Sequence, residues 1–178
     1  MVELRRPAPL DTGRHVREGF DCGVPSLNEW LRRYAGQSRR KNTAATWVIV
    51  DHDDRVVAYA SLSMTGIDLA SAPDVLAKGA PNPVPALLIG RLAVDLAWTG
   101  LGVGSALVHH ALATAVELNE SAACKAVVVV ALNEDARSWW ERLGFDCFDP
   151  GDPSCLDLYL LTGTIEETLR SQDQSNTT

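Results

Sequence analysis

Apolar residues recur at helical spacing along much of the chain and predict its main helices. The predicted helices cover residues 12–18, 26–36, 105–118 and 134–142, with a short last helix from residue 164. Ser26 with Glu29, and Thr164 with Glu167, have the spacing of capping boxes, so each pair is expected to begin its helix. Gly144 ends the helix over 134–142 in the usual C-cap manner.

Runs of β-branched and apolar residues predict the strands. The predicted strands cover residues 46–50, 56–62, 86–95, 126–131, 145–148 and 156–161. The first two form a hairpin around residues 51–55, and the run over 126–131 is apolar throughout, as expected of a strand covered on both faces. Residues 66–85 are rich in Pro, Ala and Gly and predict a surface excursion. A hairpin followed by strand, helix, strand, helix and further strands predicts an α/β fold.

Length and composition favour a single domain. The 178 residues, of which 46% are hydrophobic and 22% charged, suffice for one core and are too few for two ordinary domains. We expect a domain over residues 1–170 and a disordered polar tail over 171–178. No stretch approaches the roughly 20 apolar residues that cross a bilayer, so a cytoplasmic protein without membrane contact is predicted. The four cysteines lie far apart without a CxxC pair, and no metal site is expected.

Charge is distributed unevenly along the chain. Residues 1–41 carry nine Lys/Arg and five Asp/Glu, a net +4, whereas the remainder carries seven and eighteen, a net −11, which agrees with the total of −7. A basic N-terminal region on an acidic body is typical of electrostatic attraction toward an anionic substrate. The alternative is that the cluster forms only a solvated helix face and the loop after it. The cluster consists of Arg32, Arg33, Arg39, Arg40 and Lys41.

A glycine-rich loop follows the predicted strand over 86–95. It reads Thr99-Gly100-Leu101-Gly102-Val103-Gly104-Ser105 and leads into the predicted helix over 105–118. Glycines at alternate positions let backbone N–H groups point toward an anion, and the helix N-terminus adds the positive end of its dipole. The loop is therefore a candidate phosphate site, although the bare motif is also typical of an ordinary turn.

The surrounding sequence argues against two other kinds of phosphate-binding loop. A dinucleotide-binding loop opens a βαβ unit with an acidic partner for the ribose, but this loop comes late in the chain, after an antiparallel hairpin. A Walker loop contains Gly-Lys-Ser/Thr, which this segment lacks.

The strand, the loop and a later helix together resemble the GNAT acetyltransferases. That family has a strand reading Leu-x-Val, then Gln/Arg-x-x-Gly-x-Gly/Ala, and later Ala-x-x-Phe-Tyr-x-x-x-Gly-Phe. This chain has Leu92-Ala93-Val94, Gly102 with Gly104, and the segment Ala136–Phe145, and the resemblance covers about residues 18–162. It implies an α/β fold, a single GNAT domain with a mixed central β-sheet flanked by helices, and acetyl-CoA as cofactor. The residues that it implies for cofactor binding are Leu92, Ala93, Val94, Thr99, Gly100, Leu101, Gly102, Val103, Gly104, Ser105 and Asn133.

Two segments, Phe20–Leu31 and Gly90–Asp95, further resemble the toxin branch of that family. Toxins of this branch acetylate the free α-amino group of aminoacyl-tRNA, which stops translation, and are encoded with ribbon-helix-helix antitoxins. The resemblance implies an aminoacyl-tRNA substrate, an antitoxin partner through which DNA is contacted, and a homodimer, for which the exposed-looking Trp139 and Trp140 also argue. The residues expected to contact tRNA are Arg32, Arg33, Arg39, Arg40, Lys41 and Arg91.

The chain departs from the family pattern at two positions. Thr99 stands where Gln or Arg is usual, which weakens one pyrophosphate contact. Trp140 stands at the position of the tyrosine that protonates the departing CoA sulfur, and an indole N–H does not ionise usefully. Tyr159 is the alternative acid, with Ser138 and, more remotely, Tyr34 as further choices.

Two other functions stay open at the level of sequence. One is a GNAT enzyme that acetylates a small amine or a protein N-terminus, which the acidic remainder of the chain would favour. The other is a catalytically impaired protein that binds acetyl-CoA and a partner, which the absence of the tyrosine would permit.

Overall fold

A computed structural model describes residues 4–175 of the chain. Within these residues seven strands form one mixed sheet in the order β1-β2-β3-β4-β5-β7-β6. Its neighbours β1/β2, β2/β3, β5/β7 and β6/β7 are antiparallel. The strands are β1 Ala8–Pro9, β2 Ala45–Val50, β3 Val56–Ile67, β4 Val84–Val94, β5 Ala126–Val130, β6 Asp146–Cys147 and β7 Asp157–Leu161.

Six α-helices and two short 3-10 turns accompany the sheet in the described part of the chain. The helices are α1 Pro25–Glu29, α2 Ala35–Arg40, α3 Asp74–Ala77, α4 Val103–Ser121, α5 Glu134–Arg142 and α6 Thr162–Ser175, and the 3-10 turns are Leu69–Ser71 and Leu96–Trp98. A π-helical segment, Trp30–Tyr34, joins α1 to α2 without a break. We call the continuous helix over residues 25–40 the N-terminal helix. No helix among residues 4–175 is long and apolar enough to span a membrane.

The main predicted elements are confirmed. Strands β2 and β3 form the expected hairpin around residues 51–55, with Thr46 opposite Ser61. Helix α5 covers the predicted residues, and Gly144 follows it with a φ of +96°, a conformation that glycine adopts without strain.

Both predicted capping boxes are wrong. The N-terminal helix begins at Pro25, so Ser26 lies inside its first turn and does not cap it. The N-cap residue is Val24, whose side chain makes no hydrogen bond, and Glu29 forms an ion pair with Arg33 at 3.1 Å. Helix α6 begins two residues earlier than expected, so Thr164 lies inside it and accepts a hydrogen bond from the Thr168 hydroxyl at its carbonyl oxygen.

The predicted helix over residues 12–18 is also wrong. These residues form turns, and Val16 pairs with the hairpin: its N–H donates to the Asp54 carbonyl at 2.8 Å, and its own carbonyl accepts from the Val56 N–H at 2.9 Å. A backbone bonded in this way is not available for a helix. At the other end, α6 continues through residues 171–175, which the sequence had assigned to the tail, and residues 176–178 lie outside the described part.

The fold divides into two compact units. The first consists of the chain up to Ser63 together with Ile89–Ala111, and the second of Met64–Leu88 together with the chain from Leu112 onward. In the first unit, one core packs the N-terminal helix on Tyr59 and Ala93, and another packs α4 on Ile49 and Val57. The core of the second unit gathers Leu76, Ala86, Ala126, Val128 and Tyr159.

Candidate functional site

The glycine-rich loop lies in the first unit between β4 and α4. Gly100 and Gly102 have φ angles of +77° and +78°, which side-chain-bearing residues rarely adopt. A Cβ atom at either position would meet no atom within 4 Å, so the surface above both glycines is open. The backbone conformation therefore requires glycine at both positions, and the open space beside them can hold a ligand.

The loop fits a bound pyrophosphate. The first backbone bond of α4 runs from the Ala106 N–H to the Gly102 carbonyl at 3.0 Å, so the amides of Val103–Ser105 precede the intrahelical ladder. Free amides at the start of a 19-residue helix, next to two left-handed glycines, form a site for anions. Thr99 does not extend this site as the family's Gln or Arg would, because its hydroxyl donates to the Leu96 carbonyl at 3.0 Å.

The three predicted cofactor residues on β4 have their side chains committed to the protein core. Ala93 is buried in the core under the N-terminal helix, whereas Leu92 and Val94 pack with the core under α4. Any contribution of Leu92–Val94 to a bound cofactor is therefore made by backbone groups.

The structure brings together the two segments that carry the resemblance to toxins. The Asp21 N–H donates to Asp95 Oδ2 at 3.0 Å, and the Leu96 N–H donates to the Asp21 carbonyl at 2.9 Å. These contacts were not predicted. The sequence offered only the co-occurrence of the two segments as a signal.

The predicted tRNA-binding residues also lie in the first unit. Arg32, Arg33, Arg39 and Arg40 are exposed on the N-terminal helix, and Lys41 is exposed just after it. Arg91 stacks its guanidinium on the ring of Trp30, a helix residue, with 4.5 Å from Cζ to the ring centroid. Five of these residues are thus exposed on the N-terminal helix or just after it, and Arg91 contacts that helix through Trp30; we call this set of six residues the arginine surface.

An aromatic stack supports Arg91 from below. The Trp30 ring lies parallel to that of Tyr59, 5.6 Å away, and the Tyr59 hydroxyl donates to the Leu27 carbonyl at 2.8 Å. Burial raises the pKa of Tyr59, so its phenol stays neutral and holds this bond. The sequence analysis assigned Trp30 to the helix pattern and to the segment that resembles the toxins, and its contact with Arg91 required the fold.

Asn133 and Trp140 lie in the second unit. Asn133 caps α5, its Oδ1 accepting from the Ala136 N–H at 2.9 Å. The expectation that Trp140 is exposed is wrong: it is 4% exposed, because its ring packs edge-on against Trp139 and Phe145 at centroid distances of 4.9 and 5.0 Å. Trp140 therefore does not support the predicted dimer as a surface residue.

The alternative acids differ in their surroundings. Tyr159 is buried on β7 with its ring against Phe148, and burial raises the pKa of its phenol. Ser138 is exposed on α5, and Tyr34 is exposed on the N-terminal helix. Among the hydrogen bonds of the described residues, none involves a partner that would activate one of these three hydroxyl groups as an acid.

The second unit also contains an open, mainly apolar groove that the sequence did not indicate. It is lined by residues from β3, β4, β5 and β7 and by Phe148, which follows β6, and none of them is a predicted site residue. The lining residues are Thr65, Gly66, Ile67, Leu88, Val128, Val129, Val130, Phe148 and Asp157.

Comparison with known proteins relates this geometry to a family. The sequence profile of the acetyltransferase (GNAT) family matches residues 12–145. The chain is 34% identical over 142 residues to a tRNA-acetylating toxin of Mycobacterium tuberculosis, an alignment that covers 80% of this chain and 83% of that protein.

Two solved structures share the fold. AtaT complexed with acetyl-methionyl-tRNAfMet has a TM-score of 0.84 at 24% identity, covering 94% of this chain and 99% of that one. A mutant AtaT toxin bound to the C-terminus of the antitoxin AtaR has a TM-score of 0.79, also at 24% identity, covering 93% and 97%. From the profile match and the relative at 34% identity it follows that the chain belongs to the GNAT family of acetyltransferases.

Proposed function

We propose that this protein is an acetyl-CoA-dependent N-acetyltransferase toxin that transfers an acetyl group to the α-amino group of aminoacyl-tRNA and thereby blocks translation. The observation that carries the proposal is the similarity to a tRNA-acetylating toxin over four fifths of both chains, 80% of this one and 83% of the other. The glycine loop and the arginine surface supply the two kinds of binding site that such a reaction requires.

The first site binds the cofactor. Acetyl-CoA, when bound, supplies an activated acetyl thioester. The amides of Gly100–Ser105 would hold its pyrophosphate, and a backbone N–H of Leu92–Val94 would stabilise the negative charge that develops on the carbonyl oxygen during transfer. Backbone donors suit this second task because they are fixed by the strand before the reaction begins. Asn133 is assigned to the same cofactor from the family pattern.

The second site binds the RNA. The arginine surface presents exposed guanidinium groups to phosphates, and each contact formed releases counterions from the RNA. Arg91 is held in place on Trp30 and offers its N–H donors to an anion in a defined orientation.

The reaction can proceed without a strong base or a dedicated acid, although a general acid would accelerate it. The amino group of an aminoacyl ester has a lowered pKa, so a neutral nucleophile is present near neutral pH without a strong base. A thiol has a pKa of about 8.5, so transfer would proceed without a proton donor at position 140, where the indole of Trp140 cannot act as an acid. Tyr159 is the alternative acid.

The partners follow from the same assignment. A ribbon-helix-helix antitoxin neutralises the protein and carries the contact to DNA, the protein is a homodimer, and the complex is cytoplasmic. A neighbouring gene for a small ribbon-helix-helix protein, and co-purification of the two products, would test the antitoxin.

Transfer of labelled acetyl from acetyl-CoA to charged tRNA by the purified protein tests the function. We expect label that is released as N-acetyl amino acid when the ester bond is hydrolysed, with none on the uncharged tRNA. Label on a small amine or a peptide N-terminus alone would favour the other enzyme, and binding of acetyl-CoA without any transfer would favour the impaired protein.

A further inference from the structure

Asp95 connects two separate segments of the first unit. Its Oδ1 accepts from the Ala97 N–H at 2.9 Å and closes the start of the 3-10 turn Leu96–Trp98. Its Oδ2 accepts from the Asp21 N–H at 3.0 Å, and the Leu96 N–H returns a bond to the Asp21 carbonyl at 2.9 Å. One carboxylate therefore holds both the 3-10 turn that precedes the glycine loop and the N-terminal segment around Asp21. We call the bonds between Asp95, Leu96 and Asp21 the Asp95 clasp.

The Asp21 side of the clasp is itself fixed to the N-terminal helix. Asp21 Oδ1 accepts from the Gly23 N–H at 2.9 Å and from Asn28 Nδ2 at 2.8 Å. Asn28 is 7% exposed, lies in α1, and accepts from the Cys22 N–H at 2.9 Å through Oδ1. These donors hold the pKa of Asp21 below its ordinary value, so the carboxylate stays charged and keeps both bonds.

The clasp lies between the two elements assigned to the substrates. On one side, Asp95 directly follows Leu92–Val94 and precedes the glycine loop, and Trp98 packs with the core under α4. On the other side, Asn28 is followed one helical turn later by Arg32, the first residue of the arginine surface. A shift of either element is transmitted through the same pair of bonds.

We propose that Asp95 is a positioning residue that couples cofactor binding to tRNA binding through the clasp. The inference rests on the proposed function. Ordering of the glycine loop around the pyrophosphate fixes the 3-10 turn and Asp95, which fixes Asp21 and the beginning of the N-terminal helix. The RNA then binds a surface that is already ordered, and by linkage the RNA strengthens cofactor binding by the same factor.

Asp95→Ser is expected to remove the bond to Asp21 while keeping the cap of the 3-10 turn Leu96–Trp98. Serine is a good N-cap, so its hydroxyl replaces Oδ1 toward Ala97, but one short oxygen does not also reach the Asp21 N–H. Asp68→Ser is the matched control, because Asp68 caps the 3-10 turn Leu69–Ser71 in the same way, accepting from the Ala70 N–H at 3.0 Å. Among the described residues, the Asp68 carboxylate has no second hydrogen bond.

The affinity for charged tRNA is measured with and without CoA, which has no acetyl group to transfer. We expect wild type and Asp68→Ser to bind charged tRNA at least about fivefold more tightly with CoA. In Asp95→Ser the ratio of the two affinities, with and without CoA, falls to about one. The KM values for both substrates rise, while kcat at saturation stays within about twofold of the wild-type value. Asn28→Ala, which loosens the clasp from the helix side, is expected to lower the ratio as well.

A wild-type ratio of one overturns the proposal, as does a ratio that is unchanged in both folded variants. Thermal melting shows whether Asp95→Ser and Asn28→Ala fold. If one of them does not fold, the affinity ratio of the other tests the proposal. If wild type binds neither CoA nor charged tRNA, the proposed function fails, whereas binding of both without coupling contradicts only the role of Asp95.

Discussion

Gly100 and Gly102 have positive φ angles, whereas Gly104, two residues later, lies in the first turn of α4 with an ordinary helical backbone. The alternation of glycine in the sequence therefore reflects two different requirements. The first two glycines form the turn before the helix, and the third is buried within its first turn.

Gly102→Ala is expected to weaken acetyl-CoA binding at least about tenfold, about 1.4 kcal/mol, because the left-handed conformation that the amides require is strained for alanine. Gly79→Ala is the matched control: its φ is +66° and its Cβ would also meet no atom within 4 Å. Both variants should lose a similar free energy of unfolding, about 1–2 kcal/mol. Calorimetric titration with acetyl-CoA distinguishes the two variants. Equal affinities of Gly102→Ala and Gly79→Ala would contradict the assignment of the loop to the cofactor site.

Trp140→Tyr is expected to raise kcat on aminoacyl-tRNA at least about tenfold, because a placed general acid typically contributes 10²–10⁴-fold. Affinity for acetyl-CoA should stay nearly constant, since the change concerns the chemical step. Trp139→Tyr, on the neighbouring ring of the same aromatic pair, is the control and should leave kcat unchanged.

Single-turnover acetylation also tests the alternative acid. If Trp140→Tyr has no effect while Tyr159→Phe lowers the rate strongly, the acid is Tyr159 and the interpretation of a missing acid is wrong. The buried position of both residues makes a measurement of the free energy of unfolding necessary for each variant.

Among the elements, the N-terminal helix contains four of the six residues proposed to contact tRNA. The sequence located this helix and its basic residues, because helical spacing is a local property. Its start was placed one residue late, at Ser26, because the Ser26–Glu29 spacing was taken as the signal, whereas Pro25 at the first helical position marks the start. The π-helical segment Trp30–Tyr34 was not predictable. It lies where Trp30 packs between Tyr59 and Arg91, and π-helical turns are frequent at functional sites.

Replacing Arg39, Arg40 and Lys41 by alanine should lower activity on aminoacyl-tRNA and flatten its dependence on salt, by a slope of about one for each phosphate that is no longer bound. The control replaces Lys78, Arg142 and Arg170, which are exposed elsewhere and change the net charge equally. Activity at increasing salt is the measurement. Equal effects in both triple variants would mean that only total charge matters, and would contradict a local tRNA surface.

At the scale of the whole molecule, stability should depend on pH through His15. This residue is 8% exposed, and its Nδ1 accepts from the Asp11 N–H at 3.1 Å. Burial lowers the pKa of His15 below its ordinary value. The folded state therefore favours the neutral ring, and the resulting stabilisation is fully present above about pH 6.5 and is lost as the pH falls toward the lowered pKa of the folded state.

Urea unfolding at pH 7.5 and 5.5 measures this contribution. Wild type should lose free energy of unfolding between the two values, and His15→Asn should lose less, because an amide oxygen accepts the same bond without titrating. His52→Asn is the control, since the His52 side chain is 69% exposed, and it should behave as wild type. A pH dependence that is unchanged in His15→Asn would contradict the role of His15.

The sequence by itself determined the order of the elements, the glycine loop, the basic cluster and the resemblance to GNAT acetyltransferases. Each depends on residues a few positions apart: the period of a helix, the alternation of a strand, or the glycines of one turn. The tertiary structure decided which side chains meet. The bond between Asp21 and Asp95 crosses 74 positions, Arg91 lies on Trp30, and Trp140 is buried between rings. Contacts over such separations depend on how the sheet and the N-terminal helix pack, and local patterns carry no information about that packing.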